Sequence, residues 1–215
     1  MEVVRRYLTM SDAVLDVGTG GGERLISLAS SFATGIGVDP DPEMVRIARE
    51  NGALTPNVTF VEIGAEALDF PEASFDVVLT RHAPVCVPEV VRVLKLGGHF
   101  VTQGAGVRNM DNIRRAFGTG RPDRYEWEYR ATMEGFTAHA CRIVATGEYD
   151  VRYWVEDVPS LIFWFKAIAG ANEVPEGCSI ERDWQIVSRI IAEHATPRGV
   201  LTNEHRTLLV VHKPV

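Results

Sequence analysis

Cysteine is scarce in this chain. The three present, Cys86, Cys141 and Cys178, are odd in number and widely spaced. That excludes a disulfide framework, matches no zinc-ligand spacing, and points to a reducing, cytoplasmic setting. No apolar run approaches the ~20 residues that a membrane-spanning helix needs. The segment Met1–Met10 carries two arginines and no apolar core, so it does not read as a signal peptide. Positive charge is in deficit too. With 22 Lys and Arg against 29 Asp and Glu the net charge is −7, which argues against a broad phosphate-binding surface and hence against a nucleic-acid partner. The acidic surface leaves a homodimer contact open. Internal repeats, low-complexity tracts and linkers are absent. What remains, 215 residues of which 46% are hydrophobic, suits one α/β domain long enough to bury a core.

The stretch Val14–Glu23, Val-Leu-Asp-Val-Gly-Thr-Gly-Gly-Gly-Glu, organises the rest. Val14, Leu15 and Val17 read as a buried parallel strand, Ala13–Val17. Leu25, Ile26, Leu28 and Ala29 follow at helical spacing, so Glu23–Ser31 reads as a helix with Glu23 in its first turn. Between them Gly18, Thr19, Gly20, Gly21 and Gly22 form the turn, where glycine allows positive φ and close approach of a ligand. Dinucleotide sites use G-x-G-x-x-G. This chain reads G-x-G-x-G and places Asp16 two residues ahead of the first glycine. A carboxylate there repels a pyrophosphate and attracts an ammonium or sulfonium, which disfavours a nicotinamide oxidoreductase.

About 20 residues on, at the offset expected for an acid that holds a ribose, a second strand (Thr34–Val38) ends in Asp39-Pro40. Two ribose hydroxyls need an acceptor for both hydrogens, and a carboxylate serves. Asp41 is available to cap the helix Pro42–Asn51, which leaves Asp39 for that role. Val14–Gly22, Gly37–Asp39 with its helix, Ala65–Phe70, Ser74–Thr80 and Leu94–Phe100 occur in order. Together they resemble the class I S-adenosylmethionine-dependent methyltransferases, in particular the small-molecule type related to quinone-biosynthesis enzymes, over roughly Ala13–Gly104.

The resemblance implies a Rossmann-like three-layer α/β sandwich. Its sheet would be mostly parallel and seven-stranded, with an antiparallel last strand and helices on both faces. It implies S-adenosylmethionine as cofactor, S-adenosylhomocysteine as product and a small-molecule acceptor. Asp16, Gly18, Thr19, Gly20 and Gly22 would shape the methionine side, and Asp39 and Pro40 the ribose side. Ala65 and Glu66 would meet the adenine, and Thr80 and Arg81 would lie under the methionine. The family commonly has an acid where Gly64 stands; Glu66 or Asp69 are candidates to replace it. His82 is a candidate base or acceptor contact, with an ordinary pKa that suits proton removal. The Asn/Asp-Pro-Pro-Tyr/Phe signature of methylation at exocyclic base nitrogens is absent. A cofactor-binding protein without turnover, or an RNA or protein methyltransferase, is the alternative.

Residues 1–106 then form the cofactor-binding half of a single domain, and 107–200 substrate or lid elements ahead of a final strand, 206–213. Within that region periodicity predicts helices over Met110–Phe117, Tyr125–Ala138, Asp157–Ala169 and Asp183–His194, and a strand over Cys141–Val155 interrupted at Gly147. The helix beginning near Asp157 is apolar all round, which marks burial or contact with a ligand. Trp154, Phe163, Trp164 and Phe165 are candidates for the wall of an apolar acceptor pocket, Trp154 and Trp164 foremost.

Overall fold

In a computed structural model, which describes residues 2–119, 122–167, 174, 175 and 177–215, five apolar runs of the first half become five parallel strands. They are β1 (Ala13–Val17), β2 (Thr34–Asp39), β3 (Val58–Glu62), β4 (Phe75–Arg81) and β5 (Leu94–Ala105). The connecting helices are α2 (Glu23–Leu28), α3 (Pro42–Asn51) and α4 (Val87–Val93), after a short α1 (Glu2–Arg5). Pro42 sits in the first turn of α3, and the Asp41 side chain accepts from Glu43 N–H at 2.8 Å as its N-cap. Both predicted start signals of this helix are therefore used.

The chain divides into two compact units. The first comprises Met1–Gly104, Tyr129–Gly147 and Leu208–Val215; the second Ala105–Glu128 and Glu148–Thr207. In the first unit alternate strand residues enter two separate cores. Leu15, Val17, Val78, Phe100, Leu209 and Val211 pack into one, and Val14, Val77, Leu79, Val101 and Val210 into the other. A sheet buried on both faces explains why these strands are continuous apolar runs rather than alternating ones.

Strand order is β3-β2-β1-β4-β5-β8-β6, where β6 is Arg142–Val155 and β8 is Gly199–His212. A two-residue β7 (Ala195–Thr196) pairs antiparallel with β8 as an eighth strand beside the expected seven. The last strand runs antiparallel, as expected: Gly97 N–H bonds Lys213 O, while nine residues further on, just past the end of β5, Gly106 N–H bonds His205 O. The order reverses between β1 and β4, and such a switch point opens a crevice beyond the carboxyl ends of the strands.

One strand is irregular and two depart from expectation. Lys95–Gly98 lie inside β5 as an irregularity, since Phe75 pairs with Leu94 but Val77 with His99. Gly147 does not interrupt β6; a Cβ there would meet Leu208 at an ordinary 3.9 Å. The final strand begins at Gly199 rather than Arg206, because polar residues occupy its inward positions: Thr202, His205 and Thr207 are all buried.

The second unit packs α5 (Asp111–Phe117), α7 (Val158–Ala167) and α8 (Ile180–His194) around Ile113, Leu161, Phe165, Val187 and Ile190. Asp157 accepts from Ser160 N–H at 2.6 Å ahead of α7. Ser179 caps α8 by accepting from Arg182 N–H, while Asp183 reaches back to Ser179 N–H. The predicted end of α7 at Ile168 and Ala169 lies outside the described residues. The helix is not buried all round: Leu161 and Phe165 are in the core, but Phe163 is 73% exposed, so it lines no wall. The remaining helix, α6, spans Pro122–Ala138, and among the described residues no helix is long and apolar enough to cross a membrane.

Candidate active site

The turn after β1 is curled by one carbonyl. Val38 O, on β2, accepts from both Gly18 N–H (2.9 Å) and Thr19 N–H (3.0 Å). Three of the glycines have positive φ: Gly18 at 71°, Gly20 at 55° and Gly22 at 79°. Their surroundings assign them different roles. A Cβ on Gly18 would lie 2.3 Å from the Ala83 Cβ, and one on Gly22 would lie 2.6 Å from the Phe60 ring. Those two let the turn sit against β4 and β3. A Cβ on Gly20 would meet nothing within 4 Å. The turn is open at that point, where backbone can approach a ligand.

Two carboxylates flank the opening. Asp16 is buried, 7% exposed, and accepts from Thr19 Oγ1 at 2.8 Å. Burial raises its pKa to about 6, against the opposing effects of the Thr19 hydroxyl and the charge of Arg24. Asp39 is half-buried at the end of β2. Its Oδ2 accepts from Gly20 N–H at 2.9 Å and its Oδ1 from Asp41 N–H at 3.0 Å. These bonds fix the carboxylate and the glycine turn to one another, and each oxygen keeps a further lone pair. Pro40 follows, exposed.

On the other side of the crevice β4 ends in Thr80, Arg81 and His82. Thr80 is 5% exposed, and its hydroxyl has no hydrogen-bond partner among the described residues. A buried orphan polar atom at a switch point calls for a ligand or water. Arg81 Nε is likewise buried without a partner there. His82 is exposed, its N–H bonds Gln103 O at 3.1 Å, and its φ is 54°. A non-glycine residue rarely adopts that conformation, and such strain clusters at functional sites.

After β3 the chain runs without regular structure through residues 63–74. Ile63 N–H bonds Asp39 O at 3.1 Å, which starts this loop beside Asp39. Ala65 is half-buried and Glu66 exposed. A Cβ on Gly64 would come within 3.1 Å of Glu66 Oε2, so the Glu66 carboxylate covers the place where Gly64 has no side chain.

The sequence reading missed what holds this loop. On α4, Glu89 Oε2 accepts from Leu68 N–H at 2.8 Å. Arg92 donates to Leu68 O (2.5 Å), Phe70 O (2.6 Å) and both Glu89 oxygens (2.9 and 2.8 Å). Spacing of i, i+3 shows that the two can pair; nothing in the sequence signals that the pair reaches residues more than 20 positions away.

Trp154 and Trp164 belong to the second unit. Trp154 lines an open groove of about 600 Å³ with Arg152, Tyr153, Glu156, Pro197 and Arg198. The Arg198 guanidinium lies 3.9 Å over the Trp154 ring, a cation–π contact. Trp164 is not in this groove; it stacks on Tyr153 at 6.2 Å. The groove thus carries two arginines and a glutamate beside its two aromatic rings.

An open sheet with this strand order, a glycine turn at its switch point and acids within β1 and at the end of β2 resembles the class I S-adenosylmethionine-dependent methyltransferases. Residues 14–98, about two-fifths of the chain, match the family described as "Methyltransferase domain". An uncharacterized methyltransferase of Schizosaccharomyces pombe is 32% identical over 124 residues, covering 52% of this chain and 47% of that one. The uncharacterized methyltransferase YcgJ of Bacillus subtilis is 38% identical over 99 residues, covering 41% and 38%. The chain therefore spans less than half the length of these curated relatives. A solved Bacillus halodurans structure superposes with a TM-score of 0.70 at 16% identity over 100% of this chain and 98% of its own. That likeness establishes the fold alone.

Proposed function

We propose that the protein transfers a methyl group from S-adenosylmethionine to a small-molecule oxygen, nitrogen or carbon nucleophile. The single observation that carries this reading is the opening at Gly20, flanked by the Asp16 and Asp39 carboxylates. A positively charged nucleoside fits it: negative charge for the methionine ammonium, paired lone pairs for two ribose hydroxyls, and the orphan Thr80 hydroxyl across the crevice. When held by these residues, the cofactor would supply a sulfonium-activated methyl group for a nucleophilic acceptor.

The chain's own residues then have limited work. Asp16, with the turn Gly18, Thr19, Gly20 and Gly22, places the methionine end. Asp39 and Pro40 hold the ribose side. Ala65 offers backbone to the adenine, with Glu66 above Gly64. Thr80 and Arg81 border the methyl, and His82 takes the proton released by a hydroxyl or amine acceptor. Orientation provides most of the acceleration in such a transfer. The net charge of −7 supports a small acceptor over a nucleic acid. Scarce cysteine favours the cytoplasm as the setting.

Calorimetric titration with S-adenosylhomocysteine and with NAD tests the reading. The first should bind and the second should not; the reverse would overturn it. Asp39→Ala should keep the fold and weaken S-adenosylhomocysteine binding about 100-fold, because two hydrogen bonds to a charged acceptor contribute about 1.5 kcal/mol each or more. Unchanged affinity would remove the ribose role. S-adenosylmethionine bound but never turned over across a broad panel of small acceptors would favour a non-catalytic or macromolecule-directed role.

A further inference from the structure

The loop of residues 63–74 has no ladder of its own, yet it carries the two residues assigned to the adenine, Ala65 and Glu66. Its shape is set from α4. Glu89 and Arg92 together satisfy Leu68 N–H, Leu68 O and Phe70 O. The Arg92 and Val93 carbonyls accept from Ala73 N–H (2.9 Å) and Ser74 N–H (2.8 Å). Leu68 itself is 2% exposed in the core, and the Phe70 ring meets Phe75 edge-on at 5.1 Å. The pair is partly shielded, with side chains 20% and 35% exposed for Glu89 and Arg92. The mutual contact holds the Glu89 carboxyl below the usual range and the Arg92 guanidinium above it.

From this geometry we infer that Glu89 and Arg92 are positioning residues for nucleobase recognition: they fix the backbone that reads the adenine edge without touching the cofactor. This rests on the cofactor reading above. Gly64 brings no side chain to this loop, so base discrimination falls more heavily on backbone groups and on Glu66. Backbone groups discriminate only if the loop holds one conformation. The Arg92 guanidinium makes four such bonds, to two carbonyls and both Glu89 oxygens; an ammonium has three donors and no planar fork to match the carboxylate.

The test measures discrimination, not affinity alone. S-adenosylhomocysteine and S-inosylhomocysteine differ by a 6-amino against a 6-oxo group, which exchanges donor and acceptor on the edge in question. Both are titrated into the wild-type protein, Arg92→Gln, Arg92→Lys and Glu89→Gln, with melting temperature and near-UV dichroism as checks on folding. The wild-type protein should prefer S-adenosylhomocysteine at least 10-fold. Arg92→Gln should weaken it about 10-fold and bring the preference close to unity, Arg92→Lys should recover part of it, and Glu89→Gln should give a smaller loss in the same direction. If Arg92→Gln fails to fold, Glu89→Gln decides. A folded variant that binds both ligands with the wild-type ratio overturns the inference and leaves the cofactor reading standing; so does an equal loss for both. No binding of S-adenosylhomocysteine to the wild-type protein overturns both.

Discussion

Replacing Asp16 by Asn should stabilise the protein while abolishing cofactor binding. Asp16 is 7% exposed, and burial raises its pKa from 3.8 to about 6. At about 1.4 kcal/mol per pH unit, that gap means that the ionised carboxylate costs the folded state about 3 kcal/mol at neutral pH. The sign follows from proton counts. Between about pH 6 and 3.8 the folded chain holds a proton on Asp16 that the unfolded chain has lost, so the penalty is full above pH 6 and vanishes as pH falls through that window. Asn keeps an oxygen to accept from the Thr19 hydroxyl, but its amide hydrogens need partners, and leaving them unmet costs about 1 kcal/mol or more. The net gain at pH 7.5 is about 1–2 kcal/mol, which for a chain of this size raises the melting temperature by about 2–8 °C. Scanning calorimetry of both proteins from pH 4.5 to 7.5 reads this directly. The gap should be widest at high pH and should close or reverse toward pH 4.5. Titration should show wild-type affinity for S-adenosylhomocysteine rising with pH through about 6, as its ammonium pulls Asp16 into the ionised form, and no measurable binding to Asp16→Asn. A variant that melts below wild type at pH 7.5, or a gap that does not change with pH, refutes the reasoning.

The glycines separate packing from ligand approach. Gly22→Ala forces a Cβ to within 2.6 Å of Phe60 at a φ of 79° and should cost about 2–4 kcal/mol in denaturant unfolding. Gly20→Ala faces open space and should cost only about 1–2 kcal/mol yet lose S-adenosylhomocysteine binding; equal stability losses for the two would contradict the assignment. With an acceptor found by screening, His82→Gln should lower kcat about 100-fold or more with S-adenosylhomocysteine affinity unchanged, and an unaltered rate and pH profile would discard the base. His99 stacks between Tyr7 and His212 at 5.0 and 4.9 Å, and its pKa is lowered by burial and by the His212 charge, against the opposing charge of Asp12. The folded state therefore binds fewer protons there than the unfolded one, and the stability His99 gives, complete above about pH 6.5, is lost as pH falls through its lowered value. His99→Phe should lose less stability than wild type between pH 7 and 5.

The first half of the chain was legible because its signals are local. An apolar run, a glycine turn and an acid at a strand end each occupy fewer than ten consecutive residues, and their order carries the topology. The second half hides its pattern in buried polar residues. His205 is completely buried although it looks like one of a run of surface residues, Asn203-Glu204-His205-Arg206. A Cβ on Gly106 would lie 2.1 Å from its ring, its Nδ1 accepts from Arg108 N–H, and Glu148 Oε2 lies 3.5 Å from its Nε2. Those partners come from segments about 57 and 97 positions away, so no window of sequence around His205 shows that β8 has already begun at Gly199. Glu89 and Arg92 fail to stand out for the same reason. On a helix at i, i+3 they look like a solvated ion pair, and only the loop folded over them turns that pair into a backbone clamp. Of the four aromatics Trp154, Phe163, Trp164 and Phe165, Phe163 is exposed and the Trp154 ring lies under Arg198, a partner 44 positions away that no window of sequence around Trp154 shows.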